Sequence, residues 1–264
     1  MKIKILTLFP EMFDGILSNS IVKRAIAKGA VSVETINIRD YSLDKNKRVD
    51  DYPCGGGAGL IMRMQPVVDA LRANRSDNSY VLLTSPLGKK FDQAKAKELA
   101  SKDEVIFVCG HYEGIDSRFN NYVDELVSVG DFILTGGEVA VMPMVDSIIR
   151  LLDGAISKES LSEESFDNGL LEYPQFTLPY DYEGAKIPDI LFSGNHEAIE
   201  KYRLKESLKI TKKYRPDLYE KKEFNKLETK LIKEIEDNNE TPKWYTDAIT
   251  KGAKFIKNNI EKED

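Results

Sequence analysis

Main-chain amides set side by side can hold a flat polar ligand, and three segments of this 264-residue chain have the residue types to present them. Pro86-Leu87-Gly88, Gly110-His111-Tyr112-Glu113-Gly114-Ile115-Asp116 and Gly130-Asp131-Phe132-Ile133-Leu134-Thr135-Gly136-Gly137-Glu138 each follow an apolar run. Glycine lets backbone N–H and C=O groups approach a ligand closely and reach positive φ, so such loops together can hydrogen-bond a group such as adenine. Glycine turns without a ligand are the alternative each segment leaves open. Arg150 and Glu164 offer a second chemistry. An arginine stabilises negative charge developing on an oxygen and a carboxylate removes a proton, which suits deprotonation of a heterocyclic N–H beside a carbonyl. Their spacing does not by itself separate that role from a surface ion pair.

Other motifs exclude chemistries. In Gly55-Gly56-Gly57-Ala58-Gly59 the dinucleotide spacing fails, because Leu60 stands at the third glycine position and no strand immediately precedes the run. Gly88-Lys89 lacks both the earlier glycine and the following Ser/Thr of a P-loop. Cys54 and Cys109 are the sole cysteines, with no CxxC and no Cys/His grouping at zinc spacing, so neither disulfide nor metal site is expected. His111 reads either as a hydrogen-bonded structural group or as a general base, and with no second histidine nearby metal ligation is not expected. Ser193-Gly194-Asn195-His196 reads either as a helix start capped by Asn195 or as a loop presenting donors and acceptors to a polar substrate.

The elements that must position these residues follow from periodicity. Ile3 to Phe9 predicts a strand, residues 11–29 a helix with Pro10 in its first turn, and Val31 to Ile38 a second strand. No regular pattern runs from Arg39 to Gln65. Tyr80 to Ser85 and Glu104 to Cys109 read as buried parallel strands separated by a helix at 92–100, with short strands expected at 123–129 and 132–134. A helix is expected over 138–152, with Val141, Val145, Ile148 and Leu152 on one face and Pro143 a kink. Alternating strands and helices predict an α/β domain with a largely parallel sheet, and ligands of such sheets sit where strands end.

Hydrophobic content of 41% and charged content of 31% describe a globular chain with no membrane-length apolar run, read as cytoplasmic. The net charge of −6 is unevenly placed: residues 201–264 hold 17 Lys+Arg against 13 Asp+Glu, and residues 1–200 hold 21 against 31. From His196 onward the sequence reads as helical, and Lys201, Lys205, Lys209 and Lys213 recur every four residues as one basic stripe. The expected organisation is an α/β domain over 1–158, a linker over 159–175 and a helical domain over 176–264.

Six blocks in order, Leu8-Phe9-Pro10-Glu11-Met12-Phe13, Asp50 to Gly59, Ser85-Pro86, Cys109 to Asp116, Gly130 to Glu138 and Leu191 to His196, closely resemble the bacterial tRNA (guanine-N1)-methyltransferases of the TrmD type, over about residues 1–215. The resemblance implies a SPOUT-type fold with a deep trefoil knot, a homodimer with a shared active site, S-adenosylmethionine as cofactor and tRNA as partner, with no membrane; magnesium is left open. By position it assigns Leu83, Thr84, Ser85, Pro86, Gly110, Tyr112, Glu113, Val129, Gly130, Asp131, Phe132, Ile133, Leu134, Gly136 and Gly137 to the cofactor. Asp50, Gly55, Gly56, Gly57, Gly59, Ser193, Asn195 and His196 fall to the substrate, the guanosine 3′ of the anticodon at position 37. Arg150 matches the arginine assisting at guanine O6, and Glu164 stands where the family usually has an aspartate base, with Asp167 a less favoured substitute. Ala140 stands where a proline is common.

Overall fold

Strands buried on both faces need apolar residues at every position, and the runs read from the sequence have that character. In β6 (Glu104–Val108) Val105 and Phe107 point to one face while Ile106 and Val108 point to the other, and all four are fully buried. The computed structural model describes residues 1–156, 164–166 and 168–260, without the side chains of 258–260. Residues 159–163 of the expected linker, Glu163 among them, and Asp167 lie outside the described residues.

The chain forms two units, Met1–Leu161 and Ser162–Asp264. The first holds a five-stranded sheet of order β2-β1-β6-β5-β7, every neighbouring pair parallel, built from β1 (Lys2–Thr7), β2 (Ser32–Asn37), β5 (Ser79–Lys90), β6 and β7 (Glu125–Ser128). One face packs on α2 (Ser20–Ala27) and α5 (Gly137–Ile149), whose Val141, Met144, Val145 and Ile148 are fully buried against Ile3, Phe107 and Leu82. The other packs on α3 (Met64–Asn74) through Val67, Val68 and Leu71. A fourth helix, α4 (Gln93–Ala100), joins β5 to β6. It starts where Asp92 accepts a hydrogen bond from Lys95 N–H.

Four expectations change. The helix expected over 11–29 is broken into a 3-10 turn Pro10–Phe13, a turn α1 (Asp14–Leu17) and α2. Ser18 Oγ and Asn19 Nδ2 donate to the carbonyls of Asp14 and Gly15, and Ser20 takes φ +53°, so local side-chain bonds end the first turn. The segment 39–65 is ordered: β3 (Asp50–Asp51) pairs antiparallel with β4 (Ile61–Met62), strands too short for any period to reveal. Strand β5 runs on to Lys90, because Thr84 and Lys89 both pair with Val127 while residues 85–88 loop out between them. Gly88 is needed there, since a Cβ would collide with the backbone of Leu126 and Val127. No strand forms at 132–134. Beyond Ser128, whose Oγ both accepts from Gly130 N–H and donates to Gly130 C=O, the chain turns away and leaves Phe132 and Ile133 exposed.

The second unit has a small ribbon of β8 (Asp181–Tyr182) and β9 (Ala185–Lys186), then helices α6 (His196–Tyr214), α7 (Pro216–Tyr219), α8 (Lys226–Glu236) and α9 (Lys243–Ile260). Leu170 packs with Leu208 and Leu231, and Ile190 and Ala198 with Ala248. Asn195 Oδ1 caps α6 by accepting from Ala198 N–H at 3.2 Å. The stripe on α6 is a solvated basic face only at its last residue, Lys213, which is exposed. Lys205 is buried, donating to Asn239 C=O at 2.5 Å and lying 3.6 Å from Glu234, and Lys209 is paired with Glu240 at 3.0 Å. Lys201 Nζ sits 4.4 Å from the Trp244 ring centre. Only packing of α8 and α9 brings these acids and this ring to the stripe.

Candidate functional site

The three glycine segments converge on one side of the sheet, the first as the 85–88 excursion within β5 and the others beyond the ends of β6 and β7. Gly137 N–H donates to Gly110 C=O at 2.7 Å, and His111 bridges to Gly136. Thr84 Oγ1 donates to Val108 C=O at 3.3 Å, which ties the first loop to the second. Side chains would not fit between them: a Cβ on Gly137 would overlap Thr84 Oγ1 and lie 2.9 Å from both Cys109 Cα and Gly110 N. The result is a cleft of about 290 Å³ lined by Thr84, Ser85, Pro86, Gly110, Tyr112, Glu113, Val129, Gly130, Phe132, Ile133, Leu134, Gly136 and Gly137, together with Gly114, Val127, Ser128, Thr135 and Ala140. Two residues expected at the cofactor do not line it. Leu83 is buried in the core of β5, and Asp131 pairs with Lys90 at 2.7 Å on the surface.

Beneath the cleft lies a group whose role in the site the sequence did not disclose. Glu138, in the first turn of α5, is fully buried, with Oε1 accepting from Thr7 Oγ1 at 2.8 Å and Oε2 3.3 Å from His111 Nδ1. The His111 ring also rests on Phe9, with ring centres 4.7 Å apart. This makes His111 the structural group of the two readings, and joins the ends of β1 and β6 to the start of α5. An acid in the first turn of a mostly apolar helix was the available signal. Burial first, then the charge of Glu138, pushes the nearby Cys109 thiol well above its usual range, so it stays protonated.

The segment carrying Asp50 and the glycine run reaches the same cleft. Leu60 C=O accepts from Glu113 N–H at 3.0 Å, and Met62 N–H donates to Gly114 C=O at 2.9 Å. Gly55, Gly56, Gly57 and Gly59 all have positive φ, and a Cβ on Gly59 would press into the Glu113 carboxylate. Asp51 anchors the ribbon. Its carboxylate accepts from Tyr52 N–H and from Arg63 at 2.6 Å, contacts that hold it below the usual carboxylate range. Asp50 is half-buried in β3 beside this anchor.

Arg150 ends α5 in the first unit and is half-buried. Glu164 belongs to the second unit, also half-buried, in a segment pinned by Phe166 N–H to Leu170 C=O at 2.8 Å and by Glu172 N–H to Ser165 Oγ at 2.9 Å. Ser193 is buried and its Oγ donates to Ile190 C=O at 2.7 Å, whereas Asn195 and His196 are exposed. His196 also lines a cavity of about 560 Å³ with Tyr173, Phe176, Phe192 and Arg203.

An open parallel sheet whose strand ends carry converging glycine loops around a cleft defines an α/β ligand-binding domain. Its particular kind is given by comparison with known proteins. A family model described as tRNA (Guanine-1)-methyltransferase TrmD matches residues 1–221, and the chain belongs to that family. A tRNA (guanine-N(1)-)-methyltransferase of Clostridium perfringens (strain SM101 / Type A) is 55% identical over 235 residues, which is 88% of this chain and 99% of that protein. Proteins of the same name from Clostridium botulinum (strain Hall) and Clostridium acetobutylicum (strain ATCC 824) are each 54% identical, over 237 and 238 residues, 89% of this chain and 98% of each relative. The family match ends before α8 begins at Lys226.

Proposed function

We propose that this protein transfers a methyl group from S-adenosylmethionine to N1 of the tRNA guanosine at position 37, 3′ of the anticodon. The observation that carries the reading is the convergence of the three glycine loops into one cleft in a chain of the TrmD family. The residues present fit the cofactor. The cleft approaches the small-ligand range of roughly 300–1,000 Å³, its glycines expose backbone donors and acceptors, and Glu113 offers an exposed carboxylate to a cationic ligand. When bound, S-adenosylmethionine supplies the methyl group and departs as a neutral thioether.

The chain's own residues do the remainder. Glu164 accepts the N1 proton, Arg150 opposes the negative charge delocalised onto O6, and the freed N1 pair forms the bond to carbon. A positioned base contributes roughly 10²–10⁴ in rate. Asp50 and the glycine run at 55–59, tied to Glu113, receive the flipped base together with Ser193, Asn195 and His196. The SPOUT-type trefoil knot, a cytoplasmic location and a homodimer with a composite site belong to the same reading. The exposed Phe132, Ile133 and Leu134 at the cleft rim support the dimer, since three consecutive apolar residues suit cover by a second copy.

The test is transfer of labelled methyl from the cofactor to an unmodified tRNA transcript, with the product mapped by nucleoside analysis. Label on N1 of that guanosine is expected, and none when adenosine replaces it. Intact RNA binding without transfer would make the chain a non-catalytic RNA-binding protein, and label on another nucleotide would make it a different RNA methyltransferase.

A further inference from the structure

Helix α9 lies beyond the residues that the family model matches, yet it packs on the back of the Ser193–His196 loop. Gly252 of α9 abuts Ser193 so closely that a Cβ would stand 2.5 Å from its carbonyl oxygen and 2.7 Å from its Cα. The Phe255 ring lies 3.7 Å from where a Cβ of Gly194 would be, although 62% of Phe255 remains exposed. Ala248 and Ile256 turn inward. On the outer side Lys251 and Lys254 share a face with Phe255 by their i, i+3 and i, i+4 spacing. Both lysines are exposed and neither makes an ion pair among the described residues, in contrast to Lys205 and Lys209 on α6. From Lys243 to Ile260 the helix holds four lysines against one acid, Asp247, so its charge complements a polyanion.

We propose that α9 is an added RNA-contacting element: Phe255 stacks on an unpaired base flanking the target nucleotide, and Lys251 and Lys254 meet the adjoining phosphates. An aromatic face beside paired cations is what a single-stranded nucleic acid requires, because every base has a face to stack and every linkage a charge to neutralise. The site is contiguous with the loop assigned to substrate, and so rests on the tRNA reading above. Its occupant is the RNA loop that presents the target base.

The experiment measures methyl transfer and tRNA affinity for the full chain and two variants, Phe255→Ala and Lys251→Gln with Lys254→Gln, all checked for unchanged thermal unfolding. Phe255→Ala should raise KM for tRNA about tenfold with kcat and cofactor KM unchanged, the stacking of one base being lost. Phe255→Trp should restore it. The lysine pair should flatten the dependence of log affinity on log salt by about 1.5, roughly 0.7–0.9 for each phosphate contact removed. A wild-type protein that methylates tRNA while both variants keep its KM and salt slope would overturn the role of α9. A wild-type protein that neither binds nor methylates tRNA would instead overturn the tRNA reading.

Discussion

A proton acceptor can be separated from a binding residue by the size and the kind of its effect. Glu164→Gln keeps shape and hydrogen-bonding reach but cannot take the N1 proton, so turnover should fall by about 10²–10⁴ while the cofactor dissociation constant stays within a few fold. Single-turnover assays beside calorimetric titration check it, and near-normal turnover would remove Glu164 from the mechanism. Gly137 tests the cleft in the opposite way. Adding one methyl at Gly137→Ala drives Cβ into Thr84 Oγ1 and the backbone of Cys109 and Gly110. Overpacking of this kind costs about 1–3 kcal/mol. Because the strain falls on the loops that line the cleft, cofactor affinity should drop at least tenfold along with a lowered Tm.

At the scale of elements, the same four-residue spacing can mean a solvated face or a helix contact, and the partner helix decides. Lys205 and Lys209 of α6 are held by Glu234, Asn239 and Glu240 of α8 and the turn after it. Removing one partner of a buried ion pair costs about 3–5 kcal/mol, since the other charge remains. Lys205→Ala should therefore lower the denaturation midpoint of the second unit and leave the salt dependence of RNA binding unchanged, as urea melts and titrations at several salt concentrations would read. A flattened salt slope with unaltered stability would return the stripe to the RNA-binding surface. Strand β5 makes the same point in a sheet. Its pairing with β7 resumes after residues 85–88 have looped out, so an element boundary read at Ser85 becomes an excursion within one strand.

For the whole molecule, pH stability has an identifiable contributor at the start of the central strand of the sheet. Glu104 is buried at the start of β6 and accepts from Ser76 Oγ at 2.9 Å and from Ser79 Oγ, with Lys4 Nζ 3.1 Å away. Burial, the largest influence, would raise its pKa, but the bonds from Ser79, Lys4 and Ser76 together outweigh it and hold the carboxyl below its usual 4.5. A carboxyl whose pKa is lowered by folding stabilises the native state fully above its unfolded pKa, and that contribution disappears as pH falls through the folded value. Stability should thus decline from about pH 5 downward, and Glu104→Gln should be less stable at pH 7 but lose less between pH 5 and 3. Parallel urea melts across that range measure it, and identical slopes for the two proteins would exclude Glu104 as the source.

The sequence by itself determined the parts governed by local pattern and residue type. Continuous apolar runs required β5 and β6 to be buried on both faces, glycine clusters marked the loops that now line the cleft, and Asn195 fixed the start of α6. It also carried six blocks specific enough to indicate the family. Tertiary structure decided whatever depends on residues far apart in the chain. Thr7, His111 and Glu138 meet beneath the cleft across as many as 131 positions, the Glu113 carboxylate needs Gly59, and Phe132 to Leu134 stay out of the sheet because Ser128 and Gly130 turn the chain first. The fate of the lysine stripe and the seat of α9 on Ser193 followed from helices whose own sequences say nothing of their neighbours. Periodicity reports which face of an element is apolar, but the identity of the surface that covers it is a property of the assembled fold.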